Sequence, residues 1–166
     1  MPSMLLSKTR PIYSMYQVVR KHFNELSVTE LYDALQLREA VFQIEQVCIY
    51  KDIDDKDRYS WHLLLYEGST LVACARLLPK GISYDAYTSI GRVASHTEYR
   101  RHGYGRLLMK EAMMAMQHLF PGQPIKISAQ LYLEKFYESF GFIRIPDSEP
   151  YMEDHILHIA MTHPNR

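Results

Sequence analysis

EYRRHGYGRLLMKEAM, residues 98–113, is the stretch that decides the fold. Two glycines one residue apart, Gly103 and Gly105, sit among Arg100, Arg101 and Arg106 and lead into Leu108, Ala112, Ala115 and Leu119, which recur at helical spacing. A helix start exposes free backbone N–H groups and the positive end of the helix dipole. A turn that aims several such amides at one point holds an anion, and glycine lets the anion approach the backbone closely. Two common phosphate loops are excluded by spacing. A dinucleotide fingerprint needs a third glycine where Leu108 stands, and a P-loop needs a Lys-Ser/Thr pair that is absent. For so short a motif, a tight turn with no ligand is the competing reading.

Working outward, Pro121-Gly122-Gln123-Pro124 stops the helix near Phe120, and Ser89–Ser95 before it and Ile125–Ala129 after it read as strands. This strand-helix-strand unit is the one clear parallel crossover. Trp61–Tyr66 and Leu71–Leu78 form a hairpin across Glu67-Gly68-Ser69-Thr70, and Tyr16–Phe23 is an edge strand. Ser27-Val28-Thr29-Glu30 has capping-box form. It opens a helix with Leu31, Ala34, Leu35, Arg38, Val41, Phe42 and Glu45 on one stripe, bent or broken at its end where an acidic loop begins. Leu131–Phe140 reads as a helix stopped by Gly141, Phe142–Ile145 as a strand, Pro146–Asp154 as a loop and His155–Met161 as the last strand. The fold class is α/β (α+β), a mixed, mostly antiparallel sheet with helices on its faces. Residues 15–166 read as one domain after a loose N-terminal extension, 1–14, with Met15 a candidate natural start.

Nineteen basic and nineteen acidic side chains cancel, so the chain lacks the broad positive field of a general nucleic-acid binder. Cys48 and Cys74 lack metal or disulfide spacing and read as free thiols of a reducing cytoplasm. No apolar run approaches the roughly 20 residues of a spanning helix, and Met4–Leu6 is too short for a secretory signal. The expectations are no membrane, no nucleic acid and a cytoplasmic protein; a monomer and a homodimer both stay open.

Ser89-Ile90-Gly91-Arg92-Val93-Ala94-Ser95, followed by Arg100-x-x-Gly103-x-Gly105, resembles the acetyl-coenzyme A signature of the GNAT acetyltransferase superfamily. Phe136-Tyr137-Glu138-Ser139-Phe140-Gly141-Phe142 is similar to that superfamily's later helix. Leu37 to Phe42 with Glu45-Gln46, Tyr50-x-Asp52-Ile53-Asp54 and Glu153-Asp154-x-x-x-His158-Ile159 resemble the bacterial ElaA-type group. The resemblance spans Tyr16 to Met161 and implies a splayed parallel pair of strands at the sheet centre, receiving the pantetheine arm of acetyl-CoA. It implies that Val93, Ala94 and Ser95 pair with that arm and that Arg100, Arg101, His102, Gly103, Tyr104, Gly105 and Arg106 surround the pyrophosphate. Acetyl transfer to an amine is then direct, with Tyr137 as general acid and the Val93 N–H as oxyanion donor. Tyr137 is otherwise a packing aromatic beside Leu133, Phe136 and Phe140.

The superfamily's strand glutamate is missing here, where Ser89 and Arg92 stand, so the general base is not carried over. Glu45 is the first candidate, and Asp52, His62 and His158 are weaker ones that, with Glu45, mark the acceptor side; a salt bridge of Glu45 to Arg38 or Arg92 is the plainer alternative. Asp52, Asp54, Asp55 and Asp57 read as a solvated acidic loop, with attraction of a cationic amine as the functional alternative. An EF-hand pattern fails at Lys56 and Asp57. His155 and His158 are three apart in a strand and so face opposite ways, and no metal is expected. The same alternation turns Arg92 away from the groove as a charge-paired core residue. The expected function is an acetyl-CoA-dependent N-acetyltransferase for a small-molecule or peptide amine. The alternative is a coenzyme-binding regulatory module without transfer activity.

Overall fold

Three leucines in a row, Leu63, Leu64 and Leu65, are all buried, which a half-exposed hairpin would not allow. The computed structural model describes residues 16–166, and in it this hairpin is covered on both faces. In chain order the elements are β1 (Tyr16–His22), α1 (Val28–Arg38), β2 (Trp61–Glu67), β3 (Thr70–Leu78), β4 (Ser89–Ser95), α2 (Tyr104–Leu119), β5 (Ile125–Gln130), α3 (Glu134–Glu138), β6 (Ile143–Arg144), β7 (Tyr151–Glu153) and β8 (Ile156–His163). Strands β1 to β4 pair antiparallel in chain order, and β8 pairs with β5, β6 and β7.

Leu63, Leu65, Ala75 and Leu77 pack under Leu108, Met109 and Ala112 of α2, while Leu64, Leu71 and Cys74 pack on the other face against Ala34 and Leu37 of α1. Leu108 is fully buried, so truncating it to alanine would cost about 2–5 kcal/mol. The capping box forms: Ser27 Oγ accepts from Glu30 N at 3.1 Å, and Ser27 N donates to Glu30 Oε2 at 2.8 Å. The expected bend after α1 is a π-helical segment, Glu39–Glu45, whose wider turn carries Val41, Phe42 and Glu45 toward the sheet centre.

Two expected elements differ. Leu131–Leu133 is a 3-10 turn and only Glu134–Glu138 is α-helical, so the later helix is shorter than its apolar pattern suggests. The expected Pro146–Asp154 loop contains β7, which forms a hairpin with β8 through Asp154 and His155, both at positive φ (48° and 66°). That is the backbone of a two-residue hairpin turn, here made without glycine. The expected loose extension, 1–14, and the candidate start at Met15 lie outside the described residues. Among the described residues no helix is long and apolar enough to cross a membrane.

Candidate active site

Strands β4 and β5 lie side by side but meet only at one end. Thr88 and Ile125 form a single parallel bridge, with Thr88 N on Pro124 O at 3.0 Å and Lys126 N on Thr88 O at 2.9 Å. Ser89 Oγ pins the joint by donating to Lys126 O at 2.7 Å. Where the superfamily resemblance wanted a glutamate, this chain therefore has a clamp. Beyond it the strands diverge. One cause is visible in β4: Cys74 faces Ala94 while Arg76 faces Gly91, so β4 carries an extra residue, and Arg92 sits at φ 51°. Such a bulge kinks its strand and breaks alternation. It also brings Arg92 into the lining of the resulting cleft, contrary to the alternation rule.

The cleft holds about 870 Å³ and runs from the start of α2 to the β7–β8 hairpin. Val93, Ala94, Ser95, Arg100, Arg101, Gly103, Tyr104, Gly105 and Arg106 line it; His102 does not. Gly103 caps α2 at φ 83°, a conformation other side chains resist. Gly105 has a different reason to lack a side chain. An added Cβ would meet only Ser95 Oγ, at an ordinary 3.8 Å, so the protein's own packing does not require glycine there, and the bare backbone faces open cleft. Tyr104 is anchored through its hydroxyl to Glu67. Arg106 lies over the Phe140 ring and donates to Ser139 Oγ at 3.2 Å, and among the described residues neither it nor Arg101 is paired with a carboxylate. This end of the cleft presents amides and unneutralised cations together, which suits a polyanion.

Tyr137 borders the same cleft from α3, is 8% exposed, and has no described residue hydrogen-bonded to its hydroxyl. Burial pushes its pKa up to about 12, so the phenol is protonated at neutral pH. Phe136 and Phe142 hold the ring edge-to-face.

Glu45 also lines the cleft, but its partner is neither Arg38 nor Arg92. Arg100 Nη1 is bonded to Glu45 Oε1, Arg100 Nη2 donates to Oε2 at 2.8 Å, and Thr97 Oγ1 donates to Oε2 at 3.2 Å. The Arg100 hydrogen bonds hold the carboxyl below the usual carboxylate range. Both oxygens are engaged, which makes Glu45 a poor proton acceptor. Arg100, with a further bond to Ser95 O at 3.1 Å, ties the π segment to β4 rather than standing free for a phosphate.

The acidic loop is solvated only at Asp55, which is exposed beside Arg58. Asp52 and Asp57 are each 4% exposed, and three arginines converge on the loop. Arg38 donates to Asp52 Oδ2 at 3.0 Å and to both oxygens of Asp57 at 2.8 and 3.2 Å; Arg76 holds Asp54 at 2.7 and 3.1 Å. Arg92 Nε lies 2.7 Å from Asp52 Oδ1, a charge contact too far off line to be a hydrogen bond. Burial pushes the Asp57 carboxyl up, but Arg38 and Arg76 outweigh it and hold it below its usual range. Asp52 and His62 therefore belong to the frame and do not line the cleft: His62 is 3% exposed and bonded to Asp57 O at 3.0 Å. The arginine placed in the apolar stripe, Arg38, is the centre of this hub.

The far end of the cleft gathers around His158, one of the acceptor-side candidates. Pairing of Gln130 with His158, of Tyr151 with His158 and of Glu153 with Ile156 puts Ser128, Gln130, Tyr151, Glu153 and His158 on one face of the second sheet. Ser128 Oγ bonds Tyr151 Oη and donates to Glu153 Oε2 at 3.0 Å, and Gln130 donates to Gln46 Oε1 at 3.2 Å. Tyr151 stacks on His158 at 6.0 Å between centroids. His158 and Glu153 carried a signal through the family resemblance, whereas Tyr151-x-Glu153 is too short to read as a strand. Among the described residues no group of three or more His, Cys, Asp or Glu side chains is arranged to hold a metal.

A sheet split between two parallel neighbours, with a glycine-opened helix start at the gap, is the acyl-coenzyme A N-acyltransferase fold. The chain belongs to the GNAT acetyltransferase family, whose domain matches residues 24–163. It is 42% identical over 142 residues to the protein ElaA of Escherichia coli K12, covering 84% of this chain and 91% of that one. A UPF0039 protein of Schizosaccharomyces pombe is 39% identical over 150 residues, covering 89% and 97%. The crystal structure of Escherichia coli ElaA superposes with a TM-score of 0.83 at 39% identity over 90% of this chain and 99% of that one. That of an acyl-CoA N-acyltransferase from Pseudomonas aeruginosa gives 0.82 at 36%, over 89% and 99%.

Proposed function

We propose that this protein is an acetyl-CoA-dependent N-acetyltransferase that moves the acetyl group directly to a primary amine of a small molecule or peptide. The observation that carries the reading is the splay of β4 from β5 onto the Gly103–Arg106 turn, with an unengaged, protonated Tyr137 hydroxyl in the same cleft. The amides from Arg101 to Arg106, with the charges of Arg101 and Arg106, would hold the pyrophosphate. The side of β4 turned toward β5 has no strand partner past Thr88 among the described residues, so its backbone is available to amide groups of an extended arm, as an added strand would be. The Val93 N–H polarises the thioester carbonyl, and Tyr137 protonates the departing sulfur.

Cys74 is fully enclosed, with burial pushing its pKa up to about 12, and Cys48 Sγ is turned onto the carbonyls of Gln46 and Asp154 at 3.3 and 3.0 Å. Neither is placed as an acyl carrier, which favours direct transfer. The test is thiol release from acetyl-CoA with a panel of primary amines: amine-dependent release with matching N-acetyl product is expected. Coenzyme binding without release across the panel favours the regulatory module.

A further inference from the structure

We propose that His158 is the general base that takes the proton of the acceptor amine; this rests on the acyl-transfer reading. His158 Nδ1 lies 2.8 Å from Ile156 O. A carbonyl oxygen has no proton to give, so Nδ1 carries the hydrogen, and in the neutral ring the lone pair is on Nε2. No described residue occupies Nε2, and the half-buried ring borders the cleft, braced by Tyr151. Of the carboxylates that line the cleft, Glu45 is committed to Arg100 and Thr97, Asp54 to Arg76 and Arg92, and one oxygen of Glu153 to Ser128, while the Asp154 side chain has no partner among the described residues.

His158 stands on β8 opposite Gln130, the last residue of β5 before the turn that leads to Tyr137, so base and acid border one cleft at the open end of the splay. Tyr151 of the hairpin stacks on it, and the titratable groups that border the cleft with it include Glu153 and Asp154 of the hairpin and Glu45, Cys48 and Tyr132. The step balances. An ammonium gives one proton to Nε2; the freed lone pair forms the N–C bond as the C–S bond breaks. The sulfur leaves with the Tyr137 proton, the second nitrogen proton restores the tyrosine, and the imidazolium returns its proton to water.

Two measurements test this. Long-range nitrogen-15 spectra of the wild type and His158→Gln assign the ring tautomer without any acceptor; protonated Nδ1 is expected, and protonated Nε2 overturns the proposal. With whichever of spermidine, tryptamine, phenethylamine or lysine methyl ester is turned over fastest, His158→Gln should lower kcat/KM by about 100-fold or more. It should also remove the acidic limb of the kcat/KM pH profile while the acetyl-CoA Kd stays unchanged. A retained limb, or a loss under about threefold, overturns it. Failure of the wild type to bind acetyl-CoA would instead sink the acyl-transfer reading, with the tautomer result standing by itself.

Discussion

The molecule uses arginine in two opposite ways. In the hub, Arg38, Arg76 and Arg92 meet Asp52, Asp54 and Asp57 in a closed set of contacts. At the glycine turn, Arg101 and Arg106 line a cleft beside backbone amides, and neither is paired with a carboxylate among the described residues. Three charges against three leave the hub no net attraction for a ligand, and the turn is left with the attraction the hub lacks. The same side chain is frame where its charge is answered within the chain and binding surface where it is not.

That contrast can be broken most forcefully from the hub. Asp57→Asn keeps the shape but leaves Arg38 and Arg76 buried without their shared charge, and should lower stability in urea by about 3–5 kcal/mol. A loss below about 1 kcal/mol would mean that the hub is not a structural unit. Next in size is Tyr137→Phe, which touches neither region: it should cut turnover about 100-fold and leave the acetyl-CoA Kd in place. Unchanged turnover with a competent amine removes Tyr137 from the chemistry.

The hub also predicts a pH dependence. Asp54 and Asp57 have folded values below their usual 3.8, so the unfolded chain binds more protons in acid than the folded one. Their contribution is complete above that usual value and is lost as pH falls through the lower folded values. A urea midpoint that drops from pH 5 to pH 3, with the drop reduced in Asp54→Asn, is expected. The smallest effect belongs to the open side. Arg101→Ala should leave the melting temperature unchanged and weaken coenzyme A about threefold at low salt, less at high salt.

How much was readable from the residues follows the same division. The turn was legible because glycine spacing and a helix start are local properties. The bend after α1 and the hairpin were legible through capping and apolar runs. Of the hub only the charge pairing of Arg92 was legible; its partners were hidden, because Arg38 finds its own 14 and 19 residues away and Arg92 reaches back 40. An aspartate run reads as solvated until tertiary contacts supply the counter-charges. Glu45 was placed at the cleft, but its partner Arg100 is 55 residues on and was read as a phosphate ligand. Strand β7 was missed because three exposed residues carry no alternation and its turn lacks glycine. Tyr137 would have passed for a packing aromatic without the family resemblance.

The central claim is that the bare backbone at Gly105 exists for a ligand and not for packing. Calorimetric titration of acetyl-CoA into the wild type and Gly105→Val tests it together with thermal unfolding of both. One site per chain in the wild type, binding lost in the variant and a melting temperature unchanged within a few degrees are predicted. Equal binding by both proteins, or a variant that unfolds as readily as it loses binding, would contradict it.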